Sequence, residues 1–289
     1  MKTMKYYQIT KILTIIGLLF NFGNAQSQGF VFNDSIKAQF QTLENVKITK
    51  DILPKSYSLK KYAPYVHLQL GSECVAYSFS SARTILYAIE QNWTDQKVIS
   101  NNSFSPFHIY FRNKDKYDLE CNKGLNPIAV ANDLMENGVP QIKSVECPDY
   151  YPCNLKLRLC NYYPPNYAND LVEGRQYLMK IERASNIQQI KSSIFNKNPV
   201  VVGMRIPDSA FHDAKERWVP KSTDKYEKEM GHAMVVVSYD DVKFGGAFQL
   251  LNSWGADWGE NGYTWISYND FINFTLEALT VSSPEKKYG

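Results

Sequence analysis

The hydrophobic pattern along this chain changes period once. From Val75 to Ile89 the apolar residues Val75, Ala76, Phe79, Ala82, Leu86 and Ile89 recur largely at steps of three and four. That period predicts a helix with one buried face. Ser103 to Phe111, with Pro106 near its first turn, predicts another. Pro127 to Met135 predicts a third, closed by Gly138 as C-cap. Gln176 to Ala184 and Ile187 to Phe195 also read as amphipathic helices. Beyond them come short β-branched or aromatic runs between Gly and Asp turns: Pro199 to Met204, Ala233 to Tyr239, Ala247 to Leu251 and Tyr263 to Ile266. These predict strands. Helices first and strands after predict an α+β protein with a helical lobe and a β-rich lobe. Glu146 to Asn166, rich in Tyr, Pro and Cys, has no period and reads as a stapled loop or an insertion.

The N-terminus has a pattern of its own. Lys2, Lys5 and Lys11 precede an apolar run from Ile12 to Phe20, and the small residues Gly23-Asn24-Ala25 follow. Residues 1–25 are therefore expected to be a secretory signal peptide, placing the protein in a periplasm or outside the cell. The run is shorter than the about 20 residues a transmembrane helix needs, and no cysteine precedes Cys74 to accept a lipid. No membrane anchor is expected. Residues 26–55 are polar with scattered apolar positions and form an N-terminal extension, a short pro-segment or linker with little core of its own. Residues 56–289 remain for the main domain.

Charge excludes some partners. The 32 Lys and Arg include the leader's three lysines, so the rest of the chain balances its 29 acids at zero. No electrostatic footprint for nucleic acid or an anionic membrane results. The five cysteines of an exported chain leave an odd one after pairing. Cys121, Cys147, Cys153 and Cys160 lie close together and allow two disulfides in three connectivities; Cys74 is the natural remainder. Pairing is the default in an exported chain, so the Cys147, Cys153 and Cys160 group is not expected to be a metal site; no cofactor is expected either.

Cys74 sits where a loop becomes the first turn of the Val75 helix. Unpaired backbone N–H groups and the positive end of the helix dipole favour thiolate there, lowering a free-cysteine pKa from about 8.5 toward neutrality. Taken alone, such a cysteine reads more readily as a small buried apolar side chain than as a reactive thiol. A nucleophilic thiol needs a base, and the base needs an orienting partner. Of His67, His108, His212 and His232, the last is best placed, following Gly231 at the start of a strand. Twenty positions on, Leu251-Asn252-Ser253-Trp254-Gly255 sets an amide beside a large aromatic. Asn252 could hold one ring nitrogen while the other faces Cys74, with Trp254 excluding water from that bond.

Together these blocks form a constellation. QLGSECVAYSF, GHAMVVVSYDD and FQLLNSWGADWGENGYTWISY resemble the cysteine, histidine and asparagine blocks of the papain-like cysteine peptidases, in that order. Ser105-Pro106-Phe107 with Tyr110, Cys121-Asn122-Lys123-Gly124 and Asn198-Pro199-Val200-Val201-Val202-Gly203 resemble that family as well, so the likeness runs from about Tyr57 to the C-terminus. It implies a two-lobe fold, helical and β-barrel-like, with the active-site cleft between. It implies a secreted endopeptidase that cleaves peptide or protein substrates through a thioester, in which Cys74 is nucleophile, His232 general base then acid, and Asn252 the orienting residue. Gln69 would supply an oxyanion-hole donor. Gly124, Leu125, Met230, Ala233 and Trp254 would contact substrate, Gly124 through its main chain and Leu125, Met230 and Ala233 as an apolar pocket.

Four departures stand out. Four residues separate Gln69 from Cys74 where the family usually has five, and the usual position is Leu68. Val75 replaces the usual tryptophan. Glu73 precedes the nucleophile; its carboxylate would raise the thiol pKa, and its side chain is expected to point to solvent. Gly71 replaces a usual cysteine, so Cys121 must pair elsewhere or stay free. The short extension leaves control either to an external protein inhibitor or to the extension itself plugging the cleft. A monomer is expected. Two alternatives use the same residues: a catalytically silent peptide-binding relative, and an acyl transferase that gives its thioester to an amine.

Overall fold

The computed structural model of the protein describes residues 29–47, 52–69, 71–118, 122–144, 167–224 and 231–284. The expected signal peptide, the four cysteines other than Cys74, the Glu146 to Asn166 loop and Met230 lie outside the described residues. No described helix is long and apolar enough to cross a membrane.

Chain order gives α1 (Asp34–Phe40), β1 (Ser56–Ser58), α2 (Cys74–Glu90), α3 (Gln96–Asn101), α4 (Pro106–Asn113) and α5 (Pro127–Asn137), then α6 (Tyr167–Gly174), β2 (Lys180–Arg183) and α7 (Ile187–Phe195). The second half adds β3 (Val200–Arg205), α8 (Asp208–His212), β4 (Gly231–Asp240), β5 (Ala247–Leu251), β6 (Tyr263–Ser267), α9 (Tyr268–Phe274) and β7 (Thr275–Ser282). Local chemistry explains the boundaries. The His108 N–H donates to Ser105 Oγ at 3.1 Å, and Pro106 takes the first helical position of α4, where its missing N–H costs nothing. Asn126 Oδ1 accepts from Ile128 and Ala129 at the head of α5, and Gly138 ends that helix at φ 61°. Asn186 caps α7 in the same manner, through the Gln189 N–H at 2.9 Å.

The described strands form one antiparallel sheet in the order β2-β7-β3-β4-β5-β6, with β1 also paired to β4. β4 is the backbone of the lobe. It pairs with β3 over Gly231 to Val236, with β5 over Val235 to Asp240, and with β1 over Ser238 to Asp240, beyond the end of β3. All but its last residue are buried, which is why it reads as a continuous apolar run.

α2 lies between the sheet and the other helices, touching β3, β4, β7, α3 and α4. Its burial extends well beyond one apolar face, because Ser78, Ser80, Ser81, Arg83 and Thr84 are buried too. Each of these polar groups needs a partner to be buried at low cost. Ser80 Oγ donates to the Phe104 carbonyl at 2.7 Å, and Thr84 Oγ1 to the Ser80 carbonyl at 2.8 Å. The Arg83 guanidinium pairs with Glu90 at 3.3 Å and lies over the rings of Tyr87, Phe104 and Tyr177.

Two sequence expectations fail. Gln176 to Ala184 is not a helix: Arg175–Tyr177 make a single 3-10 turn and β2 follows, paired with β7. Only Ile181 is buried in β2, so its alternation of charged and apolar residues is that of an edge strand. The extension also supplies core. α1 buries Ile36 and Phe40, the latter completely, through a helix capped by Asn33.

Candidate active site

The sheet side of the site is set by strand register. Pairing Val235 with Leu251 places Asn252, one residue past β5, next to the start of β4. His232, the second residue of β4, then meets it: His232 Nε2 and Asn252 Oδ1 are 2.7 Å apart, both residues buried. The Ser253 N–H also donates to Asn252 Oδ1 at 2.7 Å, which identifies that atom as the amide oxygen. An oxygen only accepts, so Nε2 carries the ring proton and Nδ1 keeps its lone pair. Nδ1 is buried and has no hydrogen-bond partner among the described residues. The Trp254 indole covers the imidazole at 4.3 Å between centroids and is itself braced edge-on by Trp258 at 5.6 Å. Burial pushes the His232 pKa down to about 4, against a smaller opposing effect of the Asn252 bond.

The other side is built from a loop and a helix start. Cys74 is the first residue of α2, and its sulfur lies by the Ala233 N–H, one position along β4 from His232. Burial pushes the thiol up to about 12; the Ala233 and Val75 N–H groups lower it, and the Glu73 carboxylate raises it further. Glu73 does not point to solvent. It is buried, and its carboxylate accepts the Gly71 N–H at 2.8 Å, folding back to hold the tight turn ahead of Cys74. The two-residue reach of a glutamate back to a backbone N–H is what brings it inward.

Gln69 is buried as well. Its N–H donates to the Ser253 carbonyl at 2.7 Å, its Oε1 accepts from Ser253 Oγ at 2.5 Å, and its Nε2 donates to the Gly71 carbonyl at 2.7 Å. Leu68, at the usual family spacing, is 57 % exposed and pairs with Trp254 through its backbone. The shortened loop is thus stitched to the Asn252-Ser253-Trp254 segment.

With this geometry in place, comparison with known proteins is decisive for ancestry: the family model for papain family cysteine proteases matches residues 63–282. The chain belongs to the papain family. Among curated relatives of this family, Cysteine proteinase 3 of Solanum lycopersicum is 22 % identical over 77 % of this chain and 58 % of its own length. Cathepsin C of Schistosoma mansoni is 23 % identical over 73 % of this chain and 45 % of its own. The chain therefore spans about half the length of the curated relatives it matches. The crystal structure of xylellain, a cysteine protease from Xylella fastidiosa, superposes with a TM-score of 0.68 at 19 % identity, over 90 % of this chain and 97 % of that one. That likeness carries the papain-like α+β fold.

In this papain-family chain the cleft is filled by the chain's own N-terminal segment. Gly29 lies directly on the Cys74 sulfur, so closely that a Cβ at position 29 would collide with it. The Phe30 N–H donates to the Gly231 carbonyl at 3.2 Å, the Val31 N–H to the Leu125 carbonyl at 3.1 Å, and the Leu125 N–H to the Gly29 carbonyl at 3.1 Å, a parallel bridge. Leu125, rather than the neighbouring Gly124 at φ 72°, offers its main chain to this strap. Leu125 and Ala233 are buried, and the Phe30 ring lies against Gly203 and Gly231. Cys74 is consequently sealed from solvent.

Sequence reasoning singled out Gly231 as a point of close backbone approach and missed Gly29, Phe30 and the contact at Gly203. An extended strap has no period, and a glycine shows its purpose only when the group filling its missing side chain is known. Gly203 inside the apolar β3 run carried the same signal as Gly231, since glycine within a strand often marks a close approach.

Proposed function

We propose that the protein is an exported cysteine endopeptidase that hydrolyses peptide bonds through Cys74, His232 and Asn252. The observation that carries this reading is the 2.7 Å bond from His232 Nε2 to Asn252 Oδ1, which leaves Nδ1 as the basic atom beside the Cys74 end of β4. In this reading Cys74 Sγ attacks the scissile carbonyl carbon and its proton passes to Nδ1. The imidazolium then protonates the leaving amine, a thioester remains, and water deprotonated by the same nitrogen hydrolyses it. The Cys74 N–H and the Gln69 amide would face the developing oxyanion. Gln69, already held by Ser253 and Gly71, would need no reordering beyond exchanging its Gly71 contact.

The Gly29 to Val31 strap marks the form with the cleft closed, and residues 26–55 act as a short pro-segment. With water excluded, both thiol and imidazole are neutral, as their displaced pKa values require. Opening the strap rehydrates the site and lets the thiolate and imidazolium form together. The Lys2 to Ala25 pattern supports export.

Replacing Cys74 with Ala should abolish turnover of a fluorogenic peptide while the fold, followed by circular dichroism, is kept. Turnover retained by that variant would refute the reading. A silent peptide-binding relative would share the sealed thiol, but it would have no use for the His232 to Asn252 bond.

A further inference from the structure

Glu73 stands at the N-cap of α2, where an acid ordinarily turns forward and accepts N–H groups of the helix's first turn. Here its side chain makes no cap bond and runs back two residues to the Gly71 N–H instead. The Cys74 and Val75 N–H groups are left beside the Cys74 sulfur. Gly71 is gripped by both of its polar groups: its N–H donates to the Glu73 carboxylate at 2.8 Å, and its carbonyl accepts from Gln69 Nε2 at 2.7 Å.

The Gln69 amide is thus fixed at two points of unequal firmness. Its oxygen accepts from Ser253 Oγ, and Ser253 follows the Asn252 that strand register places. Its nitrogen is held only by Gly71, in a turn with no such register, and the Glu73 carboxylate holds Gly71 in turn. Ser72 Oγ, donating to the Asn122 carbonyl at 3.0 Å, ties the same turn to the neighbouring loop through a different residue. Apart from this bond, Glu73 suits its place poorly. Its charge adds to the upward push of burial on the pKa of the thiol it precedes, and a carboxylate is costly to bury unless it is hydrogen-bonded. What the carboxylate offers in exchange is a charge-assisted bond, stronger than a neutral acceptor would make, at the one point where the Gln69 amide lacks support from the sheet.

We propose that Glu73 is a positioning residue for the oxyanion hole: by holding the Gly71 peptide it sets where the Gln69 amide stands before an acyl group arrives. It touches no substrate and acts through Gln69. A donor placed in advance costs no reorganisation when the oxyanion forms, and a displaced donor loses that advantage. This inference rests on the peptidase reading above.

The test compares two reactions of one sulfur, in the full chain carrying Phe30→Ala to free Cys74 from the strap. Acylation by the p-nitrophenyl ester of N-acetylglycine passes through an oxyanion: Sγ bonds to the acyl carbon, its proton goes to His232 Nδ1, and p-nitrophenolate leaves with the electron pair of the broken C–O bond. Alkylation by iodoacetamide displaces iodide and develops no oxyanion. The ratio of the two rates at Cys74, located by peptide mass mapping, therefore reports the oxyanion hole with the supply of thiolate largely cancelled. Glu73→Ala should lower this ratio about tenfold or more. Glu73→Gln, whose amide oxygen still accepts the Gly71 N–H, should restore most of the loss. Adding Glu73→Ala to Gln69→Ala should lower the ratio less than about threefold further, because both changes act through one amide. On a fluorogenic peptide amide, the loss in Glu73→Ala should fall on kcat with KM unchanged. Thermal melts check folding, and Glu73→Met, of similar length without an oxygen, replaces Glu73→Ala if that variant does not fold. An unchanged ratio in Glu73→Ala, an equal loss in Glu73→Gln, or losses that multiply in the double variant would overturn the proposal. If no variant hydrolyses the amide, the peptidase reading fails, and the acylation-to-alkylation ratio still decides the role of Glu73: a fall in Glu73→Ala that Glu73→Gln restores upholds it, and any other pattern overturns it.

Discussion

The two walls of the cleft are built by different means. On the sheet wall, His232 and Asn252 are placed by backbone register: once β4 and β5 pair, the imidazole and the amide meet at 2.7 Å. Few side-chain choices are needed, and Trp254 seals the result. On the helix wall, Gln69, Glu73 and Cys74 belong to a turn held by side-chain bonds, Gln69 to Ser253 and Gly71, and Glu73 to Gly71. Register is cooperative across a whole sheet, whereas a turn held by three side chains can be shortened or lengthened locally. The one-residue departure from the family spacing falls in that turn.

The comparison predicts unequal responses to substitution. His232→Ala, on the sheet wall, should cost about 1000-fold in kcat/KM, within the range for a lost general base; a loss below tenfold would mean that another group takes the thiol proton. Gln69→Ala should lower kcat about 100-fold with KM little changed, the signature of a donor acting on the transition state. An unchanged kcat would move the oxyanion donor elsewhere in the loop. Glu73→Gln is expected to be milder, because an amide oxygen still accepts the Gly71 N–H while the charge that raises the Cys74 pKa is gone. The pH midpoint for alkylation of Cys74 should fall by about half a unit in that variant. No movement would show that the carboxylate is screened from the sulfur once the cleft opens.

Acid should act on the whole molecule through its buried histidines. Burial pushes His67, His108 and His232 down to about 4, about 3 and about 4. Their folded pKa values lie below the unfolded value of about 6.5, so the unfolded chain binds more protons as the pH drops below it. The stability they contribute is fully present above pH 6.5 and is lost as the pH falls toward the folded values. Thermal midpoints should be flat from pH 8 to 7 and drop by more than about 5 °C between pH 6.5 and 4. A flat profile through that window would place these rings in contact with water.

Legibility in the sequence follows the same division. The β3 to β6 runs and the His232 and Asn252 blocks stand out because buried strands are continuous apolar segments and register does the rest. The Lys180–Arg183 strand was hidden, since its pairing with β7 lies about 100 residues away and its own residues are mostly charged. α3 was hidden too: it buries only Ile99 and depends on an Asp95 cap. Glu73 was misjudged because a charge beside a thiol suggests solvent until the Gly71 N–H that it accepts is seen. The strap left only scattered aromatic residues, Phe30, Phe32 and Phe40, in a polar stretch, and its meaning lies in contacts with Gly203 and Gly231 some 170 to 200 residues on.

The most direct test of the central claim, that His232 activates Cys74, is the second-order rate of Cys74 alkylation by an epoxysuccinyl peptide at pH 7, mapped by mass spectrometry. It is measured in Phe30→Ala, where the strap no longer guards the sulfur, and in the same variant carrying His232→Ala. The account predicts a single adduct on Cys74, formed at least 100-fold faster when His232 is present. Equal rates with and without His232, or an adduct on a different cysteine, would contradict it.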